Sequence, residues 1–487
     1  MLAAVLNGSR QKRRLALLGS FVLVTILLLL TYYSFLPIPS YAYRLIAPSV
    51  AVGEKIEPLS LPVEYTTVPA EPTFCAERFG TAFLENLRDS ARQYCNQSSA
   101  LTCFHSHTTG KRWDSFCFGK GARYDHDEGQ FHLECNLVEQ SELELNETVL
   151  EGAPEYPSFD ELEKYWYDTG LPVVFNGWIQ MDNETQPSST KTENYTILVK
   201  REGATNHWHS LMEIYSMTLS IDALQITAQS TDYTPFYVAA RDAPNTQVVI
   251  LDDHPDGPYF DLWSLFSKKR VLRLNDLPAN ATFENIIVPL AGASNTLWQG
   301  DWEINSCEKS DLLNTFVDRA LTLYGLNGTI PRQNKEITLT FINRVSGRRL
   351  ANQEEYLKRL QREIPSVIIQ SIDFAAISYE EQLKIIRESD ILAGVHGAGL
   401  THGIFLPPGS AMVEILPAGL NHKGFRNVAS LRGHDYFSTH ANEPPSVKQG
   451  DWHSDDVYLD FERFVDVMNI AIKAMYNKGM RSYDVNK

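Results

Sequence analysis

The order of elements along the chain predicts an α/β fold with a parallel sheet in its last third. Two observations carry this. Apolar, β-branched runs alternate with amphipathic helical runs from residue 337 onward, and one apolar run leads straight into a glycine-containing loop. Ile337 to Ile342 reads as a strand, Asn352 to Ile364 as a helix and Ser366 to Ile372 as a second strand. Ser378, followed three residues later by Glu381, forms a capping box that opens a helix running to Glu388. Ile391 to Val395 is a third strand and enters His396-Gly397-Ala398-Gly399-Leu400-Thr401-His402, while Ala411 to Leu416 is a fourth. A helix from about Tyr458 to Tyr476 closes the pattern. Strands joined by helical crossovers make a parallel, Rossmann-like sheet.

The 487 residues leave room for a second domain and more. A formal net charge of −17 argues against a nucleic-acid partner, since binding the phosphate backbone needs clustered Lys and Arg. At the N-terminus, Arg10, Lys12, Arg13 and Arg14 precede an uncharged stretch from Leu15 to Leu36. As a helix this stretch reaches across roughly 30 Å of hydrocarbon, and it exceeds the apolar core of about 7–15 residues usual in a cleaved signal peptide. The expectation is a cytoplasmic tail over 1–14 and a transmembrane signal anchor over 15–36, with everything beyond it in the lumen. Recurrent prolines from Pro37 to Pro72 predict an extended stem over 37–74. Six Asn-x-Ser/Thr sequons (Asn96, Asn146, Asn183, Asn194, Asn280, Asn327) suit a glycosylated luminal surface. Of six cysteines, five fall between Cys75 and Cys135 and the sixth is Cys307. In an oxidising compartment they predict disulfides, with Cys307 bridging back to the cluster or one thiol left over. From about 170 to 330 the patterning is mixed: Leu211 to Leu224 has helical spacing and Val248 to Leu251 reads as a buried strand.

A small apolar strand entering a glycine turn is suited to holding a diphosphate. Gly397 and Gly399 let the backbone approach the ligand, and N–H groups of the following helix face it. His396 and His402 as metal ligands lack a third partner nearby. Asp252-Asp253, at the end of the strand ending in Leu251, form the alternative metal site, where Mg2+ or Mn2+ would suit all-oxygen ligands. The plainer reading of that pair is a polar turn leading to Asp256-Gly257-Pro258.

The stretch Ser389-Asp390-Ile391-Leu392-Ala393-Gly394-Val395-His396-Gly397-Ala398-Gly399-Leu400-Thr401-His402, with Phe405-Leu406-Pro407-Pro408-Gly409 and Val413-Glu414-Ile415, closely resembles glycosyltransferase family 61. Asn206-His207-Trp208-His209 with Glu213, Phe341 to Arg344 with Arg348 and Arg349, and Leu431 to Tyr436 are similar to further segments of that family. The resemblance implies an inverting transferase of GT-B-like architecture, with two Rossmann-like domains facing a cleft: an acceptor-side domain over 75–330 and a nucleotide-sugar domain over 331–487. It implies a UDP-sugar donor, expected to be UDP-N-acetylglucosamine, and a protein or glycan acceptor. No cofactor is expected, Mn2+ or Mg2+ being the alternative.

On this footing Arg344 and one of Arg348 and Arg349 would neutralise the diphosphate. The loop residues His396, Gly397, Ala398, Gly399, Leu400 and Thr401 would hold the donor, and Glu414 would accept hydrogen bonds from ribose. His209 and Glu213, one helical turn apart, would supply the general base and its orienter, with Asn206 and Trp208 shaping the cleft. Two features depart from the family pattern. Glu213 stands where an Asp is usual, and the chain ends Tyr483-Asp484-Val485-Asn486-Lys487 without an ER-retrieval tetrapeptide. The second predicts a single-pass type II protein of the Golgi membrane, with the endoplasmic reticulum as alternative. Two rival functions remain: a xylosyl- or arabinosyltransferase, and an inactive glycan-binding or folding-assistance protein.

Overall fold

The computed structural model describes residues 59–65, 72–106, 113–137, 157–162, 168–182, 194–203, 206–229, 233–279, 281–328, 336–442 and 453–477. The predicted anchor over 15–36 and most of the stem lie outside these residues. Among the described residues, no helix is long and apolar enough to cross a membrane.

Nine strands build the first sheet: β1 (Arg92–Asn96), β2 (Ala100–Ser106), β3 (Asp114–Asp125), β4 (Gln130–Glu134), β5 (Ile179–Asp182), β6 (Tyr195–Val199), β7 (Thr246–Ile250), β8 (Leu272–Arg273) and β9 (Thr282–Val288). Their order is β1-β2-β3-β9-β6-β7-β8, with β4 on β3 and β5 on β4. From β9 through β6 and β7 to β8 the pairing is parallel, whereas from β1 through β2 and β3 to β9 it is antiparallel. This half is therefore Rossmann-like only in part, a departure from the simple two-Rossmann expectation. The cysteines lie in and beside its antiparallel portion. Cys103 faces Cys117 across β2 and β3, and their disulfide lies within the loop closed by Cys95–Cys135. Cys307 does bridge back, to Cys75, and no described cysteine is free.

The second sheet matches the strands read from sequence and adds one more. It comprises β10 (Ile337–Ile342), β11 (Val367–Ile372), β12 (Ile391–Val395), β13 (Ala411–Leu416) and β14 (Asp435–His440), all parallel, in the order β11-β10-β12-β13-β14. The Ser378 capping box is present at the start of the helix Tyr379–Glu388. β11 and β12 lie on opposite sides of β10, so the chain reverses its winding between β10 and β12. In open α/β sheets, such a switch point opens a crevice at the carboxyl ends of its two strands.

The helix His207–Ile226 packs between these sheets. It is buried on nearly every face and along almost its whole length, as expected of a core helix rather than a surface one. One hydrophobic cluster takes in Trp208, Met212 and Leu219 from this helix, Leu400 and Phe405 from the glycine loop, and Phe425 beyond it. The start of the helix is thereby fixed against the nucleotide-side loop by the main core.

Candidate active site

The crevice between β10 and β12 is lined by the segments that follow those strands. After β10 the chain turns through Gly347 and Arg348, both with positive φ (57° and 52°). Arg344 Nε donates to the Gly347 carbonyl at 2.9 Å, which folds its guanidinium back over the turn. After β12 comes Gly397, with φ 150°. A Cβ placed there would lie 2.7 Å from Arg344 Nη1 and 3.1 Å from Arg348 Cζ. The loop backbone and two guanidinium groups thus share one spot, and only glycine fits. Burial holds the Arg344 pKa below its ordinary value, and no carboxylate among the described residues pairs with it. A half-buried positive charge without a counter-charge among the described residues suits an anion.

The predicted donor residues divide. Arg349 binds Asp456 through three hydrogen bonds to its side chain and is more than half exposed, so it belongs to a surface ion pair rather than to the crevice. Leu400 and Thr401 are fully buried and Ala398 is half-buried, in a 3-10 run spanning Ala398–Phe405. Gly399 serves packing: a Cβ there would lie 3.0 Å from Ile342 Cγ2. Neither oxygen of Glu414 is left for ribose. Oε1 lies 2.5 Å from His396 Nδ1, Oε2 accepts from the Tyr436 hydroxyl, and the residue is 1% exposed. Burial also lowers the pKa of His396, against the pull of Glu414. His402 supports the loop from below, with Nδ1 2.8 Å from the Gly399 carbonyl and Nε2 2.7 Å from Gln382 Oε1.

The opposite wall is the start of the long helix. Asn206 is its N-cap, accepting from the backbone N–H of Trp208 at 3.1 Å and of His209 at 3.5 Å. Trp208 meets Phe425 edge-on, and Phe425 in turn meets His396. The His209 ring lies 4.3 Å from Trp298.

The expected pairing of His209 with Glu213 is not found. His209 Nδ1 binds Glu202, seven residues earlier, in the turn after β6. Glu213 points into the interior, 6% exposed, with Oε1 accepting from the Glu202 N–H at 2.7 Å and Oε2 without a partner. Burial raises its pKa well above the ordinary carboxylate value. A Cβ at Gly292 would sit 2.7 Å from its Cγ, so the backbone after β9 closes over it. Glu213 is an enclosed carboxyl group that supports the loop bearing Glu202.

The alternative metal pair is also spoken for. Arg201 binds Asp252 through its backbone N–H at 2.7 Å and through its guanidinium at 2.9 Å, and Asp253 is exposed in the following turn. A second buried pair borders the cleft unannounced by the sequence. His422 Nε2 lies 3.1 Å from Asp301 Oδ2, and its ring stands 4.9 Å from that of His396. Its Nδ1 accepts from the Gly424 N–H, so Nε2–H is the donor to Asp301. Glu202, Asp301 and His422 carry no local signal, because their partners are distant in sequence or sit in irregular loops. Tyr436 lies within a segment already noted as similar to the family.

Known proteins align with this same region. The family model described as Glycosyltransferase 61 matches residues 208–413, which takes in His209, both crevice arginines and Gly397. An EGF domain-specific O-linked N-acetylglucosamine transferase of Drosophila melanogaster is 26% identical over 366 residues, 69% of this chain and 62% of its own length. The Bos taurus protein of that name is 28% identical over 37% of this chain and 34% of its own. That of Xenopus laevis is 31% identical over 28% and 26%. The chain thus spans less than two thirds of the relatives it matches. A solved iron-containing heptosyltransferase in complex with ADP-D-beta-D-heptose covers 74% of this chain and 90% of its own at 11% identity and a TM-score of 0.26, too slight a likeness to build on.

Proposed function

Since this chain belongs to glycosyltransferase family 61, we propose that it moves N-acetylglucosamine from UDP-N-acetylglucosamine onto a hydroxyl group of a protein or glycan, inverting the anomeric carbon. The observation that carries this reading is the meeting of Arg344, Arg348 and Gly397 at the β10/β12 switch point, where Arg344 has no acidic partner among the described residues. The two sheets are read as the two sides of a GT-B-like enzyme, with the donor on the second.

In the proposed step, His209 removes the proton from the acceptor hydroxyl. The oxygen forms its bond to the anomeric carbon from the face opposite the diphosphate. The bond between that carbon and the β-phosphate oxygen breaks, and UDP leaves with the electron pair. Glu202, on Nδ1, holds the ring so that Nε2 takes the proton, and it balances the imidazolium that results. Arg344 and Arg348 offset the charge growing on the leaving diphosphate. His396, kept in the Nδ1–H tautomer by Glu414, faces the same crevice as a neutral wall.

No metal is needed in this scheme, because arginines take the role that Mg2+ or Mn2+ would play and Asp252 is already paired with Arg201. Turnover that survives EDTA is the expected result, and loss of turnover restored by Mn2+ would return Asp252 and Asp253 to consideration. We further propose a single-pass type II placement in the Golgi membrane through residues 15–36, to be checked by protease protection and by microscopy against an endoplasmic-reticulum marker.

The central test is a donor screen with the purified full chain. UDP-N-acetylglucosamine is expected to raise the melting temperature and to be hydrolysed slowly. Arg344→Ala should weaken UDP binding, while His209→Ala should abolish turnover and leave UDP binding intact. Protection by UDP-xylose or UDP-arabinose instead would make the chain a pentosyltransferase. Binding of glycans without turnover of any donor would make it a binding protein on a transferase scaffold.

A further inference from the structure

The turn between β3 and β4 carries a cluster that plays no part in the cleft. One donor atom from each of Asp125, Glu128 and His132 lies within 4.8 Å of the others. The His132 side chain is 10% exposed, with Nδ1 2.6 Å from Asp182 Oδ2 at the end of β5. Its Nε2 is buried, makes no hydrogen bond, and points at the cluster, 3.2 Å from Glu128 Oε2.

When Nδ1–H donates to Asp182, Nε2 presents a lone pair to a carboxylate oxygen. Two acceptors then face each other at a nitrogen that is itself buried, an arrangement that a cation between them relieves. A carboxylate on the far nitrogen of a histidine is also the arrangement that orients metal-ligating histidines and raises their basicity. Imidazole nitrogen with two carboxylate oxygens suits Zn2+, which takes such ligands at about 2.0–2.2 Å and leaves a fourth position for water. Bond lengths of that size place tetrahedral donor atoms about 3.4 Å apart. Glu128 Oε2 and His132 Nε2 already stand 3.2 Å apart, so closing the set falls to Asp125, which lies within the 4.8 Å spread. Arg123, 3.7 Å from Asp125, is the competing cation.

We propose that Asp125, Glu128 and His132 Nε2 bind one Zn2+ ion, with Asp182 orienting the histidine. The ion would tie the β3–β4 turn to the end of β5 and thereby fasten the outer strands of the first sheet. The role is structural and independent of the transfer reaction.

The test is calorimetric titration of the EDTA-stripped full chain with ZnCl2, using CaCl2 for comparison, together with melting temperatures. One Zn2+ per chain is expected, with a higher melting temperature when loaded. His132→Ala and Glu128→Ala should each weaken Zn2+ binding at least tenfold, and Asp182→Asn roughly tenfold. Glu128 is exposed, so its variant folds even if the histidine variant does not. Absence of Zn2+ binding would overturn the proposal and leave His132 a residue paired with Asp182 and Glu128 alone. Equal affinity in the parent and the Glu128→Ala and His132→Ala proteins would mean adventitious binding elsewhere, and tighter binding of Ca2+ than of Zn2+ would exclude imidazole ligation.

Discussion

His396 Nδ1 lies 2.5 Å from Glu414 Oε1, within the sheet that carries the crevice, and the other carboxylate oxygen takes the Tyr436 hydroxyl. The pairing follows from register: Gly394 on β12 faces Glu414 on β13, so the carboxylate comes level with the residue just past the strand end. Glu414 is therefore a strut for the loop. Removing it with Glu414→Ala takes away the acceptor used by the His396 ring N–H and by the Tyr436 hydroxyl. The expected loss is about 3 kcal/mol of stability in urea denaturation, with weaker UDP binding. Glu414→Gln keeps an acceptor for His396 and should lose much less. Unchanged stability in the alanine variant would show that the strut is unnecessary.

Glu202 supports His209 from the neighbouring turn. Glu202→Gln is expected to lower kcat by at least tenfold while the KM for the donor and the affinity for UDP stay within twofold, since nothing on the arginine side changes. His209→Ala sets the lower bound, roughly 10²–10⁴-fold below the parent. Glu213→Gln, which keeps the shape of the enclosed side chain and an acceptor for the Glu202 N–H, should retain most of the activity. A collapse of kcat in that variant alone would return Glu213 to the role of base.

The two loop glycines separate binding from packing. Gly397→Ala forces a Cβ against both guanidinium groups at a backbone conformation that L side chains avoid, and UDP affinity should fall roughly tenfold or more. Gly399→Ala presses on Ile342 in the core, and the expected effect is a loss of about 1–3 kcal/mol of stability at near-normal UDP affinity. Isothermal titration with UDP and thermal denaturation of the two variants read these effects apart.

Stability should also depend on pH through His105. This buried ring bonds Tyr94 and Ser115, and burial, aided by Arg92, drives its pKa down to about 3. Between that value and the unfolded value of about 6.5, the unfolded chain binds the proton and the folded chain does not. The contribution is complete above about pH 6.5 and is lost progressively as pH falls towards 3, reaching about 3 kcal/mol by pH 4.5. Urea midpoints at pH 7.5 and 4.5 should lie closer together in His105→Gln than in the parent, and equal spacing would exclude this histidine as a source.

Much of the second sheet was readable from the sequence because its central strands are buried on both faces and therefore appear as apolar or β-branched runs, such as Ile337–Ile342 and Ile391–Val395. The antiparallel strands were not. β3 runs from Asp114 to Asp125 through two glycines, a lysine and an arginine, and its alternation is blurred by the disulfide across to β2. At the site, Gly397 and Arg344 stood out by their positions after strands. Glu202 did not, because a carboxylate in a loop shows no period, and the Asp301–His422 pair spans 121 residues of chain. Glu414 stood out at its strand, but its bonds to His396 and Tyr436 did not, since they depend on which side chains the sheet register places beside it.

The three disulfides are nested: Cys103–Cys117 lies inside Cys95–Cys135, which lies inside Cys75–Cys307. For a chain made from its N-terminus, this order has a cost in time. Cys75 emerges first and its partner emerges last, 232 residues later. At about 5–20 residues per second, that interval is roughly 12–46 s, during which four other thiols appear within reach. Early oxidation would capture Cys75 with the wrong partner. Correct assembly therefore requires either that the inner pairs close as soon as their hairpin forms or that thiol exchange later frees Cys75. The yield of active protein should consequently depend on the supply of disulfide isomerase far more than a count of three bridges suggests.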